Sequence, residues 1–193
     1  MTQQLQTPGY TYAEFAALHE GAQKRGIGLG YELDEGGLLL MAPLDPTQGH
    51  VQIVFGSQLT THVIQNGLGA VFLDSFTDFG LRRWYYPDLT YLSNDDLTRF
   101  DGRKLPVPAT LIVEVATGSS LDRDAGRKKS VYHRAGVSWY WIVDLVAEEI
   151  LEFRHAPAGY DLAARVGLYD PFRPALFPGL TIQLAPLIPR TQP

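Results

Sequence analysis

The chain has 193 residues, of which 45% are hydrophobic and 19% charged, with a formal net charge of −5; this suits a single globular domain with a sizeable core. It contains no cysteine, which excludes disulfides, thiolate zinc sites and cysteine nucleophiles. No stretch approaches the roughly 20 apolar residues of a membrane span, and the acidic balance argues against a broad nucleic-acid-binding surface while leaving room for a local basic groove.

Residues 1–9 read as a loose tail. They lack the basic and apolar regions of a secretory signal, so a cytoplasmic location is expected. Thr11-Tyr12-Ala13-Glu14 fits a capping box, with Phe15, Leu18 and Ala22 following at helical spacing to an end near Gly26. Tyr31–Leu33 and Leu38–Met41 flank Asp34-Glu35-Gly36-Gly37, the pattern of a β-hairpin. A second helix is predicted from about Thr47 to Asn66, with Val51, Val54, Phe55, Gln58 and Leu59 on one stripe and Gly67 as its stop.

Short strands are predicted around 70–74 and 77–81, then one at Asp88–Leu92, a capped turn from Ser93, and a proline-rich loop over 101–109. Leu111–Ala116 is an apolar strand, followed by a helix at about 122–135 that stops at Gly136. Ser138–Asp144 and Glu149–His155 read as a hairpin, with a last strand near Leu180–Leu184. The whole predicts one α/β domain over 10–188: a central mixed sheet flanked by helices, with added β-hairpins, and a short tail at 189–193.

Leu111–Ala116 is an unbroken apolar run carrying one carboxylate, Glu114. A strand apolar on both faces belongs in a sheet covered on both sides, where a charge must find a cation, a metal or hydrogen bonds. If the Asp88 strand is its neighbour, strand alternation lets Asp88 and Glu114 converge. Two such acids make a hard-cation site suited to magnesium or manganese; alternatively each caps a turn or pairs with a basic residue. On the following helix, Leu121, Ala125, Lys128, Tyr132 and Ala135 share one stripe. Lys128 either snorkels outward or aims its ammonium at the acids. The second arrangement is equipment for phosphodiester hydrolysis, a metal activating water and a lysine stabilising developing charge.

Pro87-Asp88, Glu114-Val115-Ala116-Thr117, and Asp124-x-Gly126-x-Lys128-x-x-x-Tyr132 continuing to Ala135-Gly136-Val137 and Tyr140–Asp144 together resemble the Uma-type putative restriction endonucleases of the PD-(D/E)XK nuclease superfamily. The resemblance also takes in Tyr31-Glu32-Leu33, Ala42-Pro43, His50 and Phe177–Leu180, and spans about Tyr10 to Ile188. It implies a restriction-endonuclease-like fold and a magnesium- or manganese-dependent endonuclease acting on nucleic acid, DNA in the first place, with a homodimer as a further implication. By position it implies Asp88 and Glu114 as metal-binding acids, the Val115 carbonyl as a further ligand, and Glu32 and His50 as accessory polar residues. The lysine usual two residues after the acid is replaced by Ala116, and its role passes to Lys128. A fold of this kind can also serve a nucleic-acid-associated or interaction protein without cleavage.

Other conspicuous residues have plainer readings. Trp139, Tyr140 and Trp141 suit a packed strand, and His19, His62, His133 and His155 suit surface or capping roles. Arg82-Arg83 and Arg123–Lys129 are the basic clusters; they suit either a phosphate groove or solvated faces.

Overall fold

The computed structural model describes residues 9–24, 30–41, 45–102, 104–118 and 123–186. Helix α1 (Tyr12–Lys24) opens with the expected reciprocal cap, Thr11 N–H donating to Glu14 Oε2 at 2.8 Å and Glu14 N–H to Thr11 Oγ1 at 3.4 Å. The predicted end near Gly26 and both chain tails, 1–8 and 187–193, lie outside the described residues. Strands β1 (Tyr31–Asp34) and β2 (Gly37–Leu40) form the hairpin. Glu35 and Gly36 take φ values of 53° and 87°, the mirror-image turn whose twist matches paired strands. Helix α2 (Pro46–Gln65) starts at Asp45, whose carboxylate accepts from the N–H groups of Thr47 and Gln48.

Strands β3 (Gly69–Leu73), β4 (Thr77–Asp78), β5 (Trp84–Tyr85) and β6 (Leu89–Ser93) follow, then the short helix α3 (Asn94–Leu97) and β7 (Leu111–Ala116). A π-helical turn, Arg123–Lys128, runs into α4 (Lys129–Arg134). Strands β8 (Trp139–Asp144), β9 (Glu149–Ala156) and β10 (Gly159–Gly167) complete the set.

The larger sheet has the order β10-β9-β8-β7-β6-β3 and is antiparallel except between β7 and β8. That parallel pair requires a crossover, and the crossover carries the π-turn and α4. On one face α2 packs Val51, Phe55, Leu59 and Val63 against Leu111, Val113, Val115 and Trp141. On the other, Val131 and Tyr132 of α4 meet Ile112, Ala116, Tyr140 and Ile142. Cover on both faces is the physical reason β7 reads as a continuous apolar run. Each large apolar side chain so buried contributes about 1.5–3 kcal/mol. Glu114, 2% exposed in the same strand, runs against that gradient.

A smaller sheet, β2-β1-β5-β4, carries α1 through a cluster of Phe15, Leu33, Leu38 and Trp84. The mixed α/β sheet with flanking helices and an added hairpin is therefore the fold that forms, with four local corrections. The strand predicted over 77–81 is only Thr77–Asp78, because the chain turns at Gly80–Arg82, all three at positive φ. The helix predicted at 122–135 begins as a π-turn rather than an α-helix. The strand expected near Leu180–Leu184 is a single bridge between Phe172 and Ile182. Strands β5 and β10 had no predicted counterpart.

Candidate functional site

In the ladder between β6 and β7, Leu89 lies opposite Val113 and Thr90 opposite Ile112. Continuing the register sets Asp88, one residue before β6, opposite Glu114. The two acids thus meet at one end of the sheet, where Val115 N–H donates to Asp88 Oδ2 at 2.5 Å. Asp88 is 9% exposed and Glu114 2%. Asp88 therefore also closes the ladder, standing in for a backbone carbonyl.

Lys128 comes from the crossover and is as buried as the acids, at 3% exposed. Its Nζ lies 3.0 Å from Glu114 Oε1 and 3.1 Å from Glu32 Oε1, and 5.7 Å from the centroid of the Tyr85 ring. Glu32, fully buried on β1, also accepts from Tyr86 N–H at 3.3 Å. The ammonium is thus held between a carboxylate of each sheet. Tyr132, four residues after Lys128, donates its hydroxyl to Glu114 Oε1 at 2.5 Å. Burial, then the negative charge of Glu114, drives its phenol well above the ordinary value, so the hydroxyl stays a donor.

The inward stripe predicted from spacing therefore places Lys128 and Tyr132 inside; the side chains of Leu121 and Ala125 fall outside the described set. The π-turn ends at Lys128, and such turns recur at functional positions in helices. His50 sits exposed on α2, in a cleft of about 300 Å³ shared with Thr47, Leu145 and Tyr169. The lining of that cleft includes none of Glu32, Asp88, Glu114 and Lys128, so the structure does not set His50 among the acids as the resemblance implied. Its neighbour Gln48 reaches the sheet, donating Nε2 to the Val115 carbonyl at 3.0 Å.

The basic clusters are partly committed to acids of the hairpin. Asp34, 4% exposed, pairs with Arg83 Nε at 3.4 Å and with Arg127. Glu35 pairs with the same two arginines. Glu32 and Asp34, two apart on one strand face, thus take Lys128 and Arg127, neighbours on the π-turn. His133 and His155 stack with ring centroids 4.1 Å apart, each placing Nε2 on a backbone carbonyl. His62 contacts Asn66 at the end of α2, and the side chain of His19 is outside the described set.

Gln48, Asp34 and the hydroxyl of Tyr132 had no assigned role in the sequence reading. Tyr132 is the one a sequence signal marked, through the stripe it shares with Lys128; the others act across long sequence separations.

Among the described residues no three His, Cys, Asp or Glu side chains cluster as a ready metal cage. Two carboxylates and a backbone carbonyl are nonetheless hard oxygen donors, and magnesium is commonly held by one or two carboxylates with water and phosphate completing its shell. The Val115 carbonyl has two lone pairs, one engaged by Gln48. Asp88, Glu114 and Val115 therefore fit magnesium or manganese.

The buried phenol gives a test in base. Tyr132 titrates above its unfolded value of about 10, so the stability it lends is present below that pH and is lost as pH rises towards its folded value. Wild-type stability should fall above pH 10, and Tyr132→Phe should remove about 1.4 kcal/mol per pH unit from that slope. Urea midpoints at intervals from pH 9 to 11 measure it; equal slopes for both proteins would show that Tyr132 ionises freely in the fold.

The family described as Uma2, putative restriction endonuclease, has a model that matches residues 13–185 of this chain. Among solved structures, the chain is similar to the crystal structure of a putative nuclease belonging to DUF820 from Anabaena variabilis ATCC 29413. The TM-score is 0.59 at 13% sequence identity, covering 69% of this chain and 75% of that one. At that identity the likeness establishes the fold. No curated protein matches the chain.

Proposed function

Because the chain belongs to the Uma2 family of putative restriction endonucleases, we propose that it is a metal-dependent endonuclease that hydrolyses phosphodiester bonds in nucleic acid, DNA in the first place. The observation that carries this reading is the position of Lys128: a buried ammonium 3.0 Å from Glu114, whose register partner is Asp88, at one end of a sheet. Magnesium or manganese held by Asp88, Glu114 and the Val115 carbonyl would supply Lewis-acid activation of the phosphoryl group and of water. The chain's own residues do the rest. Lys128 presents fixed positive charge where negative charge develops on the phosphate. Glu32 and Tyr132 hold Lys128 and Glu114 in place, so little reorganisation is needed during the reaction. Gln48, at the start of α2, fixes the Val115 carbonyl, and His50, exposed on the same helix, would assist with substrate.

The same proposal includes a homodimer, which would set two sites against the two strands of a duplex, and a cytoplasmic protein. Among the described residues no helix is long and apolar enough to cross a membrane.

Calorimetric titration of manganese into the metal-free protein tests the site directly. The expected result is saturable binding of about one or two ions per chain, lost in Asp88→Ala and in Glu114→Ala while both variants remain folded. Cleavage of single- and double-stranded substrates should be lost in the same variants. Absence of manganese binding by the folded wild type would reduce the cluster to a structural ion pair and remove the enzyme reading.

A further inference from the structure

The larger sheet ends in two edge strands, β10 and β3, and they are guarded differently. β10 carries Asp161, Arg165 and a register slip, the charges and irregularity that keep an edge from pairing with another chain. β3, Gly69-Ala70-Val71-Phe72-Leu73, has no charge, no proline and an unbroken register. Among the described residues no strand pairs with its outer side. Asp74 N–H donates to the Asp88 carbonyl at 3.2 Å, so backbone alternation turns the polar groups of Gly69, Val71 and Leu73 away from β6. Beside them, Ile53, Ser57 and Thr60 of α2 line a groove against β3, and Ile64 continues their stripe at helical spacing. Ile53, Ile64 and Leu73 are 67%, 68% and 51% exposed, an apolar border of the kind that marks an interaction surface.

We infer that this border is an interface with a second copy of the chain, the two β3 strands pairing antiparallel about a two-fold axis at Val71. Three features fit that occupant. In this register Gly69 faces Leu73 of the second copy and Val71 faces its own counterpart, so outward N–H groups meet outward carbonyls. The side chains match in size, with Gly69 opposite Leu73 and Ala70 opposite Phe72, small against large. Gly69 is held to glycine, because a Cβ there would collide with the Leu92 carbonyl oxygen. Finally, α2 turns back into β3 and runs against it, so the same axis sets Ile53 against Ile64 and Ser57 against Thr60 of the second helix. Apolar ends then flank a small centre that allows close approach. A two-fold contact needs a surface complementary to itself, and each of these pairs meets that need. An unrelated strand would satisfy the backbone groups but not the matched sizes. The inference gives a surface to the homodimer of the proposed function and rests on that part of the reading. An axis of this kind is perpendicular to the sheet, so the faces bearing Glu114 stay on one side of a continuous sheet, as two sites on one duplex require.

The test is sedimentation equilibrium of the full chain and three variants, each at an exposed side chain. Ile64→Lys and Leu73→Lys lie on the interface; Leu162→Lys, 49% exposed on β10, is the control edge. Wild type and Leu162→Lys should be dimers. Ile64→Lys and Leu73→Lys should each raise the dimer dissociation constant at least about tenfold, because the axis repeats every buried charge. Amide hydrogen exchange reads the pairing itself: protection of Val71 and Leu73 should fall on dilution, while that of Phe72, which turns towards β6, should not. A monomeric wild type, a dimer indifferent to both interface lysines, or a dimer lost in Leu162→Lys overturns the inference. Failure of the nuclease reading looks different. Manganese binding by a monomeric wild type would leave the chemistry without this interface, and a dimer that takes up no manganese would leave the interface without the chemistry.

Discussion

Replacing Lys128 by methionine is expected to destabilise the protein by about 3–5 kcal/mol at neutral pH, the scale for removing one partner of a buried ion pair. The reason is specific to its two neighbours. Glu32 and Glu114 are 0% and 2% exposed, and the ammonium that both approach within 3.1 Å would be replaced by an apolar chain of similar length. Two like charges would then share a low-dielectric space, and the fold would favour protonating one of them. A carboxyl raised in this way lends stability below its unfolded value of about 4.3 and loses it as pH rises. The variant should therefore be nearest to wild type at pH 5 and furthest from it at pH 8. Adding Glu32→Gln to the variant should recover part of the loss. Urea unfolding at the two pH values measures all of this. A Lys128→Met protein as stable as wild type at pH 8 would show that the three groups do not depend on one another.

The second large effect is expected at Asp34. Its side chain is 3% exposed and meets Arg83, itself 10% exposed, and Arg127, which is 48% exposed. Asp34→Ala leaves the Arg83 guanidinium in a covered position with Glu35, 60% exposed, as its remaining acid among the described residues. A loss of about 3 kcal/mol follows from the uncompensated arginine. Most of it should vanish in the background of Arg83→Met, because the two changes then remove both ends of one interaction. Arg127→Met alone should cost far less, about 1 kcal/mol or below, since nearly half of its surface is already in water. Denaturant titrations of these four proteins give the coupling directly, and strict additivity of Asp34→Ala and Arg83→Met would discard this account.

How far the sequence reading reached depends on the range of the interaction. The hairpin was legible because Glu35 and Gly36 encode their own turn, and the cap of α1 because Thr11 and Glu14 lie three apart. The burial of β7 was legible in its unbroken apolar run, and the inward direction of Lys128 in the stripe it shares with Tyr132. β10 was missed for a physical reason. It is a sheet edge, its register slips between Leu162 and Ala164, and none of its residues is fully buried, so no alternation marks it. The reverse error came from Leu180, Ile182 and Leu184. Their alternation is real and all three are buried, but the segment crosses the core as a strap tied by Gln58 rather than joining a sheet. The π-turn left no trace because side-chain spacing does not report which carbonyl each N–H selects. The commitment of Asp34 to Arg83 and Arg127 was equally hidden, since like Gln48 on Val115 it is fixed only by the packing of distant segments.

The shared custody of Lys128 by two sheets has a consequence for the order of assembly. Glu32 leaves the ribosome about half a chain length ahead of the lysine it meets in the finished fold. Until then the hairpin can close its own turn but has no cation for Glu32 and no Arg127 for Asp34, so its acids stay hydrated. Contacts of such long separation form late and slowly. The first hairpin to be synthesised is therefore among the last pieces to become permanent. The buried triad of Glu32, Lys128 and Glu114 comes into being only when β1 and the crossover helix, made far apart in time, finally close on each other.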